Sequence, residues 1–207
     1  DFALPRLGLS FAPDERLSVY AAWSRASREP ALRDLFDGEG VGSAPLYAPT
    51  PAGTPDYAKP LIHPEKVQDW ELGGSWRFGA ADGATDAGAG LLGAHLFRMD
   101  FRDELVYAGQ FNTDLGYPIL GNAAKSVHQG VELEARFARP VGSGLAAAID
   151  ANATLSDNHF VRYREVYGTT AADQVSYDGK AIGFFPAVLA NASGRVAWRT
   201  LSATLDA

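Results

Sequence analysis

The sequence predicts an all-β fold, an antiparallel sheet forming part of a large transmembrane β-barrel, and three observations carry that prediction. Stretches of about a dozen residues alternate between two kinds of side chain with a period of two, the spacing at which strand residues share a face. Short turns and long polar segments alternate between those stretches. Aromatic residues of the apolar sets gather at the strand ends, as the two interfaces of a bilayer demand.

The elements follow in order. Residues 6–11 and 16–25 flank Ala12-Pro13-Asp14-Glu15, a hairpin signal. A segment of about forty residues, 26–64, is rich in Pro, Gly, Ala and Asp. Residues 65–78 and 91–103 then pair across a Gly/Ala/Asp linker, and a second long loop covers about 104–124. Residues 125–138 and 145–156 pair across Pro140-Val141-Gly142-Ser143-Gly144, a third loop covers about 158–186, and 187–198 with 201 onward form the last pair. Structureless connections this long are uncommon in compact soluble domains and usually carry function.

Each strand divides into two sets. From Val67, one reads Val67, Asp69, Glu71, Gly73, Ser75, Arg77, and the other Gln68, Trp70, Leu72, Gly74, Trp76, Phe78. Next, Leu91, Gly93, His95, Phe97, Met99, Phe101 oppose Leu92, Ala94, Leu96, Arg98, Asp100, Arg102. Val127, Gln129, Val131, Leu133, Ala135, Phe137 oppose Ser126, His128, Gly130, Glu132, Glu134, Arg136, and the set from Leu145 to Leu155 opposes Asp150, Asn152, Thr154 and Ser156. The sets Trp70–Phe78, Leu91–Phe101, Val127–Phe137 and Leu145–Leu155 are expected to face lipid. On that assignment His95 and Gln129 are polar exceptions, and Arg98, Asp100, Glu132 and Arg136 are lumen charges. Phe11, Phe78, Phe137 and Trp198 form one aromatic girdle beside the short turns, and Trp23, Trp70 and Phe101 a second toward the long loops. A soluble sandwich also alternates, but strands of about twelve residues exceed the usual five or six.

Composition is compatible with this reading. The 207 residues are 46% hydrophobic and 21% charged, which fits a folded protein and argues against disorder. The formal charge of −7 argues against nucleic acid as a partner, which would need a basic face. There is no cysteine, so neither a disulfide framework nor a thiolate metal site can form. No run approaches the roughly 18 apolar residues of a membrane-spanning helix. The mean hydropathy of −0.12 suits two-faced strands. Residues 1–4 lack the features of a signal peptide, so an exported form is expected to begin after one.

Chemistry-bearing motifs are sparse. Gly88-Ala89-Gly90-Leu91-Leu92-Gly93 satisfies G-x-G-x-x-G, but a dinucleotide site needs that loop between a strand and a helix, and here a strand follows at once. His63, His95, His128 and His159 are widely separated, without metal-ligand spacing. Glu132 and Glu134, beside His128 and Arg136, read as a lumen network sooner than as a glycosidase pair. No Gly-x-Ser-x-Gly elbow is present. No catalytic residue, metal or cofactor is expected.

Four segments, in order, are similar to the barrel of TonB-dependent receptors. They are Tyr20-Ala21-Ala22-Trp23-Ser24-Arg25-Ala26-Ser27-Arg28-Glu29-Pro30, with Ser27 where the family often has Phe; Pro64-Glu65-Lys66-Val67-Gln68-Asp69-Trp70-Glu71-Leu72-Gly73; Phe97-Arg98-Met99-Asp100-Phe101-Arg102-Asp103-Glu104-Leu105-Val106; and Gly121 through Ser126-Val127-His128-Gln129-Gly130-Val131-Glu132-Leu133-Glu134. The resemblance implies a bacterial outer-membrane barrel of about twenty-two strands that imports scarce nutrients, often ferric siderophores, with energy relayed by the TonB complex. About eight strands are present here, with no plug domain, TonB-contacting segment or closing strand, so the chain is expected to be an internal fragment, residues 1–207 all belonging to the barrel. Outer-membrane lipid, the TonB complex through a plug domain, and a small-molecule ligand are the implied partners.

Candidate ligand contacts lie in the long segments. Tyr47, Tyr57, Tyr107, Phe111 and Tyr117 offer aromatic faces to a chelate or ring, and Arg28 and Arg33 attract an anion. A small passive outer-membrane barrel and a soluble carbohydrate-binding β-sandwich are the alternatives at this point.

Overall fold

In the computed structural model the residues described are 3–31, 35, 47–79, 88–111, 118–166 and 174–207. They form twelve strands: β1 (Arg6–Phe11), β2 (Leu17–Arg28), β3 (Tyr47–Pro49), β4 (Pro55–Pro60), β5 (Glu65–Gly79), β6 (Ala89–Phe111), β7 (Pro118–Gly142), β8 (Leu145–Arg162), β9 (Arg164–Val166), β10 (Gln174–Ser176), β11 (Val188–Trp198) and β12 (Leu201–Asp206). Eight of them make one sheet in the order β1-β2-β5-β6-β7-β8-β11-β12, each pair antiparallel. This is an up-and-down meander in which sequential strands are spatial neighbours, the connectivity of an outer-membrane barrel wall. The small pairs β3–β4 and β9–β10 sit within the two longest connections.

Short turns close the sheet at one end. In the β1–β2 turn the Asp14 carboxylate accepts from the backbone N–H of Arg16 and of Leu17, each at 2.8 Å, the usual use of aspartate in a tight turn. Those two N–H groups, Leu17's first, hold the Asp14 carboxyl below its ordinary value. The β7–β8 turn places Gly142, Ser143 and Gly144 at positive φ (103°, 52° and 77°).

The register assigns the two faces. Directly paired residues share a side of the sheet, so Leu9, Ala21, Leu72, Leu96, Val131, Leu155 and Val188 form one continuous row. These positions are open to the surroundings, with Leu9, Leu72, Leu96 and Leu155 between 44% and 74% exposed. A soluble sandwich would bury them; here lipid must cover them. Phe11, Phe78, Phe137 and Trp198 fall on this outward side, as do Trp23 and Trp70, whose rings pair at 5.9 Å.

On β6 the faces are the reverse of the sequence expectation. His95 pairs with Gly73 and Glu132, Phe97 with Glu71, Met99 with Asp69 and His128, and Phe101 with Ser126. The set Leu91–Phe101 therefore lines the inner side, and Leu92, Ala94 and Leu96 face lipid. His95 is an ordinary lumen histidine and no exception. Phe101 leaves the upper girdle. Arg98 and Asp100 are outward residues, whereas Glu132 and Arg136 are inner ones as expected. Gln129 does face outward, and it bridges Arg98 (2.7 Å) to Asp157 (3.2 Å) just above the apolar rows.

That apolar band slides along the strands. Leu17, the lowest outward residue of β2, registers through Trp76, Leu92 and Ala135 with Ala151, six positions above Leu145 at the foot of β8. At the upper limit, the level of Trp23 and Trp70 is already polar on β6, β7 and β8, occupied by Arg98, Gln129 and Asp157. A band that stays level with a bilayer must shift in this sense when the strands tilt, as barrel closure requires.

The loop between β6 and β7 is shorter than the sequence indicated. These strands run for 23 and 25 residues, against the roughly 9–11 that span a bilayer. Most of the stretch 104–124 is a two-stranded extension rising above the membrane, not a loop.

Candidate functional site: the inner wall and its outer mouth

The inner wall is a sheet of paired polar groups. Tyr20 Oη lies 3.3 Å from Glu71 Oε2 and 3.2 Å from His95 Nδ1. This convergence requires glycine at position 73, where a Cβ would collide with the His95 and Tyr20 rings. Gly130 serves Phe97 in the same way, since a Cβ there would sit 2.9 Å from its ring. Nearer the short turns Arg136 spans Glu134 and Asp150, both at 3.5 Å. Ser18 meets Ser75 at 3.0 Å, and Asn191 donates to Asn152 at 3.0 Å. Such cross-strand polar pairs satisfy one another only against water or a polar filling.

The mouth, at the long-loop end, has a different construction. Asp103 adopts φ 54°, a left-handed conformation that aspartate tolerates better than most residues, and beyond it Glu104 meets the inner set. Glu104, 7% exposed, accepts from the Ser126 hydroxyl and pairs with His128 Nε2 at 3.0 Å. His128 Nδ1 lies 3.0 Å from Asn158 Oδ1, and Asn158 in turn donates to Ser156 Oγ at 2.8 Å. The Phe101 and Phe185 rings bracket His128 edge-on at 5.1 and 4.8 Å. One strand pair away, Glu65 takes Arg28 Nη2 at 3.0 Å and the Leu105 N–H at 2.9 Å.

Residues 177–187 fold back along β8 over this network. Gly179 donates to the Phe160 carbonyl, Phe160 to that of Lys180, and Ile182 to that of Asn158, at 2.7–2.9 Å. Val106, Ala123, Phe160, Tyr163 and Ile182 form a buried apolar cluster beside it, with Tyr177 packed on its margin. Burial, and then Glu165 and Tyr177, push the Tyr163 hydroxyl up to about 12.

Ser126, His128 and Glu104 have the composition of a hydrolytic triad but not its connections. The serine donates to the carboxylate and not to the imidazole, and it is 0% exposed, so no substrate atom can reach it. The cluster orders the mouth. Among the described residues no group of three or more His, Cys, Asp or Glu side chains could hold a metal ion.

Of the expected ligand contacts, Tyr47 and Tyr57 come together on the β3–β4 hairpin, rings edge-on at 5.1 Å with Tyr57 68% exposed. Arg28 is held by Glu65. Tyr107 and Phe111 fall on β6, opposite Leu120 and Pro118 of β7, their side chains outside the described part. Arg33 and Tyr117 lie outside the described residues. Sequence reasoning missed Glu65, Glu104 and Asn158, whose roles depend on pairing partners distant in the chain.

An apolar concavity lies elsewhere. A groove of about 900 Å³ crosses the outward face, floored by Ala151, Ala153 and Ala190 between Trp76, Leu92 and Leu133. Its apolar lining and its place in the lipid-facing rows make it acyl-chain contact surface, not a nutrient site.

A family model described as TonB dependent receptor-like, beta-barrel, matches residues 1–206. No curated protein matches the chain.

Proposed function

Since this chain belongs to the TonB-dependent receptor β-barrel family, whose members are bacterial outer-membrane transporters and not enzymes, we propose that it is part of the wall of an uptake receptor for a ferric siderophore or a comparable metal chelate. The observation that carries the reading is the polar inner face, whose Tyr20–Glu71–His95 and Glu134–Arg136–Asp150 networks require a hydrated or protein-filled bore. A plug domain occupies that bore, further strands complete the barrel beyond β1 and β12, and the plug contacts the TonB complex. The Tyr47–Tyr57 pair, with Tyr57 exposed and Tyr47 half-buried, offers an aromatic face to a ring-bearing chelate. No bond is made or broken in the transport step.

The test is uptake of radiolabelled ferric siderophores, a catecholate and a hydroxamate in parallel, by cells expressing the full-length receptor with and without TonB. Uptake that is equal in both backgrounds sinks the reading. Replacing Tyr47 and Tyr57 together by alanine is expected to weaken capture by about thirtyfold, in line with two aromatic contacts of about 1 kcal/mol each.

A further inference from the structure

We infer that the outward face above the apolar band is a binding site for the phosphate groups of the outer-leaflet glycolipid, with β5 to β8 supplying the cations. Lys66 lies opposite Arg102, Arg102 opposite Lys125, and Lys125 opposite Arg162, one unbroken row of four cations across four adjacent strands. All four are exposed, and none has an ion-pair partner among the described residues. Directly opposed like charges destabilise a sheet, and three such pairs in succession call for an external counter-charge.

The surroundings sharpen the identity of that counter-charge. Arg25 and Arg98 lie one and two levels below the row, toward the membrane. The two carboxylates on these outward positions are already engaged, Asp100 by Arg98 at 3.0 Å and Asp157 by Gln129 and His159 at 3.2 Å. Six cations against two acids thus sit together on a chain whose net charge is −7. Directly below, a groove of about 490 Å³ runs between Leu9, Leu72, Leu96 and the Trp23–Trp70 pair, with Arg98 at its upper end. Apolar groove and cationic head are the two halves of one amphiphile: acyl chain below, phosphate above. Free phosphate would use only the upper half. Guanidinium and ammonium groups recognise phosphate by charge-assisted hydrogen bonds, and the long-loop end of a barrel wall faces the cell exterior, where the leaflet carries phosphorylated lipopolysaccharide.

The inference depends on the membrane orientation and not on the nutrient carried, so a negative uptake result leaves it standing. The experiment uses the full-length receptor in detergent and native mass spectrometry. The probes are bis-phosphorylated lipid A, its dephosphorylated form, and inorganic phosphate. The wild type is expected to retain bis-phosphorylated lipid A and to lose at least a hundredfold in affinity, roughly, when Lys66, Arg102, Lys125 and Arg162 are all changed to glutamine. The double variant Lys66→Arg, Lys125→Arg should keep wild-type retention. Heat-modifiable gel migration verifies that each barrel is folded, and the single variant Lys125→Glu replaces the quadruple one should that fail to fold. Undiminished retention by the charge-removed variant overturns the proposal. So does an equal loss when the inner-face Arg77 and Arg136 are changed to glutamine, equal binding of dephosphorylated lipid A, or displacement of the lipid by inorganic phosphate at millimolar concentration.

Discussion

The membrane band and the mouth of this protein are built from the same strands by opposite means. In the band, Leu9, Leu72 and Leu133 are 74%, 55% and 43% exposed, so the hydrophobic contribution comes from lipid and not from the chain. At the mouth, Val106, Ala123, Phe160 and Ile182 are each at most 9% exposed, and the chain supplies its own cover through residues 177–187. The two regions therefore draw their stability from different sources. The band is stabilised by its solvent, so its sequence needs only the correct face pattern. The mouth is stabilised by specific contacts in water, so individual side chains there carry large shares.

The largest expected effect tests the mouth. Phe160 is 7% exposed and its ring meets Tyr163 at 4.8 Å. Phe160→Ala is expected to cost about 3–5 kcal/mol locally, the range for a buried Phe truncated to Ala. Hydrogen exchange should show Gly179, Lys180 and Ile182 losing protection while the band amides of β5 (68–78) and β6 (90–100) keep theirs. Equal loss in both regions would mean that the mouth is no independent unit.

A comparably sized effect, roughly 2–4 kcal/mol, is expected from Leu133→Arg, which puts a cation on the lipid face near the middle of the band. The neighbouring inner position supplies the contrast. Thr154 stands opposite Glu132, so Thr154→Arg gains an opposite charge in a hydrated bore and should stay within about 0.5 kcal/mol of the wild type. Denaturant-induced unfolding from lipid vesicles measures both, and similar costs for the two would contradict the assignment of faces.

These two regions also differed in how much the sequence disclosed. On β5, β7 and β8 one alternating set holds the charges and the other the aliphatics, so the faces could be read directly. On β6 both sets are largely apolar below residue 97, and the charges Arg98, Asp100 and Arg102 lie above the band, where an outward face is free to be ionic. Only the pairing of His95 with Glu132 and of Phe97 with Glu71 decides between them. The extensions of β6 and β7 were missed for a related reason: a strand that has left the membrane needs no apolar face. Tyr47 and Tyr57 were legible as loop aromatics, whereas the inner role of Glu104 depends on the left-handed Asp103 and on contacts with β7 residues that no local pattern encodes.

A smaller effect separates the polar network of the mouth from its apolar cluster. Glu104 receives both Ser126 and His128, so Glu104→Ala strands two buried partners at a cost of about 1–3 kcal/mol. The order of Phe185 against His128 should fall with it, followed through the 19F signal of fluorophenylalanine at position 185. An unchanged signal would show that the ring contact at 4.8 Å is maintained by the loop alone.

The smallest expected effect lies at the opposite end, in the β1–β2 turn. Asp14 accepts from Leu17 and Arg16 and its carboxyl is held below the usual 3.8. A group whose folded value is depressed contributes stability that is present above the unfolded value and is lost as pH falls through the lowered one. Protection factors of the Arg16 and Leu17 amides are therefore expected to stay level from neutrality down to the ordinary aspartate range and to decline below it. Asp14→Ala should show reduced protection at every pH. Asp14→Asn, which keeps an acceptor oxygen but cannot titrate, should give a level profile across the whole range. Because this turn touches nothing in the mouth, neither variant should alter exchange at Lys180 or Ile182; a change there would mean that the two ends of the wall are coupled through the band and not separately stabilised.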